Sequence, residues 1–168
     1  MHLGRATALF ALMMSVSTDP TVAAQVRTIA ADIQIHGAGP VVQRLDKAGD
    51  YDRVLNRIRS GSAEWVRLAF NLVPGTDGAR AEDLQTAIGV ALSHNPKLVL
   101  SLLATSSSGL SVEDVCNPPF IDETPEQVRW WARTARAAIR MVTEPELQNS
   151  KRRCLAEIAT AQKHHTSE

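Results

Sequence analysis

The chain has 168 residues, with 18 lysines and arginines balanced by 18 aspartates and glutamates, 44% hydrophobic residues and two cysteines. That length fits one domain and is enough to bury a substantial core. Zero net charge argues against a nucleic-acid binder that works by neutralising phosphate.

In chain order, the first feature is a signal for export. Met1-His2-Leu3-Gly4-Arg5 is a short basic stretch, and ATALFALMMSVS after it is an apolar run of about a dozen residues. A spanning helix needs roughly 20 apolar residues, so this run is too short to cross a bilayer. Pro20 then breaks the helix, and Val22 and Ala24 put small side chains at the two positions a signal peptidase reads. Residues 1–24 are therefore expected to be a signal peptide cleaved after Ala24. Residues 25–168, starting at Gln25, would form a single helical domain with a frayed tail from about position 163. The alternatives are a buried first helix or an uncleaved anchor. No second apolar stretch of membrane length follows, so no stable membrane insertion is expected after cleavage, and the location is periplasmic or secreted.

Beyond the leader, apolar residues recur at three- and four-residue intervals, with no clean period-two alternation. The fold class is all-α: a compact bundle of about seven short helices, with an irregular α-solenoid of helix pairs as the alternative. A first helix is expected from about Val26 to Ile35, stopping at HGAGP, with Pro40 opening a short second one. Asp50 caps a third that turns Tyr51, Val54, Leu55 and Ile58 inward. Ser62 caps a fourth with Trp65, Leu68, Ala69 and Leu72 inward until Pro74-Gly75. Asp77 or a neighbour starts a fifth, burying Leu84, Ile88, Ala91 and Leu92, and Asn95-Pro96 both stops it and caps KLVLSLLA. That segment is apolar on nearly all sides and is expected to be central.

The longest connection, Thr105 to Glu123, holds one turn around Ser111 to Val115. Phe120 and Ile121 are candidate core plugs, and Cys116 is a candidate anchor. In an oxidising compartment Cys116 and Cys154, the only cysteines, are expected to pair.

Thr124-Pro125-Glu126-Gln127 is a capping box with proline at the first helical position. At about 100° per residue, Val128, Trp131, Ala135, Ala138, Ile139 and Val142 share one apolar face. Arg129, Arg133, Arg136 and Arg140 fall within about 60° on another side, with no acid among them. Trp130, Ala137 and Met141 mark the border, and Arg133 is placed to lie over the Trp130 indole. Tryptophan, arginine and methionine are enriched in protein interfaces, so Arg129, Trp130, Arg133, Arg136, Arg140 and Met141 form the candidate partner-binding face. The competing explanation is a solvated face paired within the molecule. Residues 25–123 carry 9 basic and 12 acidic groups against 8 and 5 in residues 124–168, and Asp46, Asp50, Asp52, Glu82 and Asp83 are available acids. A second capping box, Thr143 to Glu146, is expected to open the last helix, which buries Leu147, Cys154, Leu155 and Ile158.

Reactive motifs are missing: no serine elbow, HExxH, phosphate loop or Cys-x-x-Cys. His36 and His94 fall at expected helix ends, where histidine meets terminal carbonyls, and His164 and His165 are two ligands without a third. Glu113 and Asp114 diverge on a helical turn rather than forming an acid and base pair. No cofactor or metal is expected. The leading expectation is an exported, non-catalytic domain that binds another protein of the cell envelope, an acidic one by charge, in the manner of inhibitors, immunity proteins or accessory subunits. The alternatives are a hydrolase whose site is assembled from distant residues, and a binder of small anionic or cell-wall ligands.

Overall fold

The three- and four-residue spacing is realised as helix. The structure, a computed structural model, describes residues 20–117, 120 and 124–164. Residues 1–19, most of the expected signal peptide, lie outside the described residues, as do Ile121 and the last four residues. The helices are α1 Pro20–His36, α2 Ala38–Lys47, α3 Tyr51–Arg59, α4 Ala63–Leu72, α5 Gly78–Ala91, α6 Pro96–Thr105, α7 Val112–Cys116, α8 Pro125–Arg140 and α9 Gln148–His164. Short 3-10 turns stand at Val73–Gly75 and Pro145–Leu147, and no strand occurs among the described residues. Nine helices are therefore described rather than about seven. One of the additions, α7, is the single turn expected inside the long connection, set by a capping box in which Ser111 and Asp114 exchange side-chain and backbone bonds.

The buried apolar residues form one continuous cluster. Helix α3 contributes Tyr51, Val54, Leu55 and Ile58. Helix α4 contributes Trp65, Leu68, Ala69 and Leu72, joined by Val66 and Phe70, and Leu84, Ile88, Ala91 and Leu92 come from α5 and its end. Each valine, leucine, isoleucine or phenylalanine among them is worth about 1.5–3 kcal/mol when fully buried. Packing joins α1 to both α2 and α4, α3 to α5, and α6, α7 and α8 all to α9. Contacts that skip along the chain in this way interlock the helices, whereas a repeat array stacks each unit on its neighbours.

Several boundaries depart from the sequence expectation, each for a local reason. Helix α1 begins at Pro20 rather than near Val26, with proline in the first turn, where no intrahelical N–H bond is required. Helix α2 begins at Ala38, so Pro40 is its third residue, and Gly37 precedes it at φ 81°. Neither Asp50 nor Ser62 caps with its side chain. Asp50 instead meets Arg53 at 2.6 Å. Asn95 stands at the N-cap of α6, yet its amide donates to the Gly61 carbonyl at 3.0 Å, tying the turn after α3 to the start of α6. The second capping box does not form. Thr143 donates its N–H to the Glu144 carboxylate, Pro145 opens a 3-10 turn, and α9 starts only at Gln148.

Helix α6 is less central than its composition suggests. Val99 and Leu100 are buried, but Leu98, Leu102 and Leu103 are only half covered, and Leu102 borders a cavity. The small residues of HGAGP do more than stop a helix. The Val73–Gly75 turn lies so close to the start of α2 that a Cβ at Gly75 would sit 2.3 Å from the Ala38 carbonyl carbon.

A candidate contact face on helix α8

Helix α8 is held firmly at both ends. At its start, Thr124 Oγ1 accepts from the Gln127 N–H at 3.3 Å, and Gln127 Oε1 accepts from the Thr124 N–H at 2.7 Å, which is the expected box. At its other end, the Lys151 ammonium of α9 donates to the carbonyls of Arg140 and Val142, at 2.7 and 2.6 Å. A cation satisfying terminal carbonyls also complements the helix dipole. Basic residues of α9 therefore do structural work beside Cys154. Arg153 reaches Glu113 on α7 at 2.7 Å, so Glu113 and the neighbouring Asp114, which accepts from the Ser111 N–H, serve separate structural partners.

The two adjacent tryptophans have opposite fates. Trp131 is buried, donates its indole N–H to the Gly89 carbonyl at 2.9 Å and meets Phe120 edge to face, ring centroids 4.7 Å apart. Phe120 is thus the core plug expected from the long connection; it adopts φ 44°, in the left-handed region that a non-glycine residue rarely enters. Trp130 is 53% exposed and Met141 80% exposed, two of the three large hydrophobic side chains left uncovered among the described residues, the third being Ile35.

The arginine stripe divides. Arg129 pairs with Glu126 one turn ahead, contrary to the expectation of a stripe without acids at hand. A backbone hydrogen bond and then the Arg129 guanidinium hold Glu126 below the usual carboxylate range, so the charge of Arg129 is cancelled locally. Arg136 is half-buried. Arg133 and Arg140 are exposed and make no ion pair among the described residues, and Arg133 does not stack on Trp130. Of the five acids named as intramolecular partners, Asp46 pairs with Arg80 at 3.1 Å and Asp50 with Arg53, while Asp52, Glu82 and Asp83 make no ion pair with the α8 arginines among the described residues. Four of the six candidate residues, Trp130, Arg133, Arg140 and Met141, consequently lie bare along one side of α8. From Trp130 to Met141, the residue that caps α8, they span twelve positions and about 16 Å.

The cysteines meet as expected. Cys116 and Cys154 form a disulfide with their Cα atoms 5.1 Å apart, fully buried, fastening α7 to α9. His36 is the last residue of α1 and His94 lies in the turn after α5, both exposed. No group of three metal-ligating side chains comes together among the described residues, and no described helix is long and apolar enough to cross a membrane. One polar cluster was not foreseen: the buried Tyr51 hydroxyl donates to the Arg80 carbonyl at 2.8 Å, while the Arg80 guanidinium spans Asp46 and Asp77. It pins α3 and α2 to α5, and its members are too scattered in sequence for spacing to reveal it.

Comparison of the chain with protein-family models, with curated proteins and with solved structures finds no match.

Proposed function

We propose that the protein is an exported, non-catalytic domain that binds an acidic partner protein of the cell envelope through the bare strip of α8. The observation that carries this reading is the coincidence on one rigid helix of two exposed large apolar side chains, Trp130 and Met141, with two guanidinium groups, Arg133 and Arg140, that have no ion pair among the described residues. Tryptophan and arginine dominate binding hot spots, because each combines a large contact area with directional donors. A partner presenting carboxylates around an apolar pocket would satisfy both kinds of group at once.

The disulfide supports the compartment of this reading. A buried bridge persists where thiols are not kept reduced, which suits the periplasm or the extracellular space. Cleavage after Ala24 would remove the first five residues of α1 and leave Gln25 at its start.

The test is site-specific photocrosslinking. A photoreactive residue replaces Trp130 in the exported protein, and a second placement at the exposed Asn56 of α3 serves as control. A discrete adduct from position 130, absent from position 56 and lost with Arg133→Glu plus Arg140→Glu, supports the reading. Equal adducts from both positions, or none from position 130 in cells grown under native expression, overturn it.

A further inference from the structure

A cavity lies away from the α8 strip, on the seam where α1 packs against α4. It is a solvent-open groove of about 520 Å³ whose apolar lining is Ile33, Phe70, Pro74 and Leu102. Its rim carries Gln34 from α1, Arg67 and Asn71 from α4, and the serines at positions 106–108 beyond α6. A second trough of about 230 Å³ shares Arg67 and Asn71 and continues the seam towards Val26, Ala30 and Glu64. From Val26 to Gln34 the seam follows α1 for about 12 Å, the length of three or four residues of extended chain.

The polar rim decides what fits. The side chains of Gln34 and Asn71 make no hydrogen bond among the described residues, and Arg67 makes one long bond, 3.4 Å, to the Ala63 carbonyl of its own helix. A carboxamide offers a donor and an acceptor together, the complement of a peptide group, and two of them from different helices line the same cavity. Among the described residues Arg67 is the one charged residue lining the larger cavity, so one acidic side chain is favoured there. Glu64, one turn away, disfavours a second acid at the far end.

We propose that this seam binds a short extended peptide segment with apolar side chains and a single carboxylate, seated on Ile33, Phe70 and Leu102 with its acid at Arg67 and its backbone at Gln34 and Asn71. The site is separate from the α8 strip and does not depend on it.

The test is a titration of the isotope-labelled protein with acetyl-Ala-Leu-Glu-Leu-Ala-amide, followed by nuclear magnetic resonance of the side-chain amides. Saturable shifts at Gln34 and Asn71 are expected, with the glutamate peptide binding about fivefold tighter than its glutamine counterpart, the upper range for an exposed ion pair. Arg67→Gln should erase that difference, and Asn71→Ala or Gln34→Ala should weaken both peptides with melting temperature unchanged, since these side chains are exposed. Arg133→Glu with Arg140→Glu should leave every shift intact, which separates this site from the α8 reading. Four results overturn the proposal: no saturable shift at these amides, a glutamate preference that survives Arg67→Gln, an equal response to acetate alone, or shifts that track protein concentration without peptide and so assign the seam to a second copy.

Discussion

The indole N–H of Trp131 reaches the carbonyl of Gly89, 42 residues earlier in the chain, at 2.9 Å in the buried interior. This bond adds to the buried face of Val128, Ala132, Ala135 and Ile139 in holding α8 with Trp131 inward and Trp130, the next residue back, outward. Trp131→Phe keeps the ring but leaves that carbonyl unmet, and should cost about 1–3 kcal/mol of unfolding free energy in urea titration. Trp130→Ala should stay within about 0.5 kcal/mol of wild type, as for other surface changes, while removing partner binding. A large stability loss for Trp130→Ala would mean the strip is not bare.

Closing a loop between Cys116 and Cys154, 38 positions apart, removes chain entropy from the unfolded state worth about 4 kcal/mol. Cys116→Ala with Cys154→Ala should lower stability by roughly that amount by calorimetry or urea titration. Alkylation of protein taken from its native compartment should label neither sulfur until a reductant and denaturant are added together, because both cysteines are fully buried.

Tyr51 is the only tyrosine, so its ionisation can be followed by phenolate absorbance alone. Burial, reinforced by Asp83, pushes its phenol above the ordinary value of 10.0. A raised value favours the protonated folded form: this contribution is complete below pH 10.0 and is lost as pH rises beyond it. The native protein should show no phenolate step at pH 10.0, the denatured protein should show one there, and Tyr51→Phe should remove that part of the alkaline loss at a cost of about 0.5–1.5 kcal/mol for the bond to Arg80.

On the acid side the sign reverses. Hydrogen bonds from Arg153, Lys97 and Arg80 hold Glu113, Glu144 and Asp77 below their ordinary values of 4.5, 4.5 and 3.8. Their contribution is present above those values and is lost as pH falls through the lower folded ones. Melting temperature should therefore fall below about pH 4.5, more shallowly in high salt because these pairs are exposed and screened. Glu113→Gln should flatten the acid slope, and an unchanged slope would remove the Arg153 pair from the account.

What the sequence reveals here is what a few adjacent residues decide. The Thr124 capping box and the division between Trp130 and Trp131 follow from spacing within one helix, and both stand. The caps at Asp50 and Asn95 fail because a competing partner takes each side chain: Arg53 one turn on for the first, the distant Gly61 carbonyl for the second. HGAGP was legible as a stop, but not as a landing place for Gly75, since that contact joins segments 36 or more residues apart. The seam between α1 and α4 was invisible for the same reason. Its lining comes from α1, α4, α6 and the serines after it, none of which marks the others in sequence.

The sulfur bridge also divides the molecule mechanically. Stretched from its ends, the chain can pay out helices α1 to α6 one after another, but the section between positions 116 and 154 is short-circuited by a covalent clasp. About 130 Å of contour stays reeled in until a reductant arrives. Tension alone leaves the helix that bears Trp130 inside a closed ring.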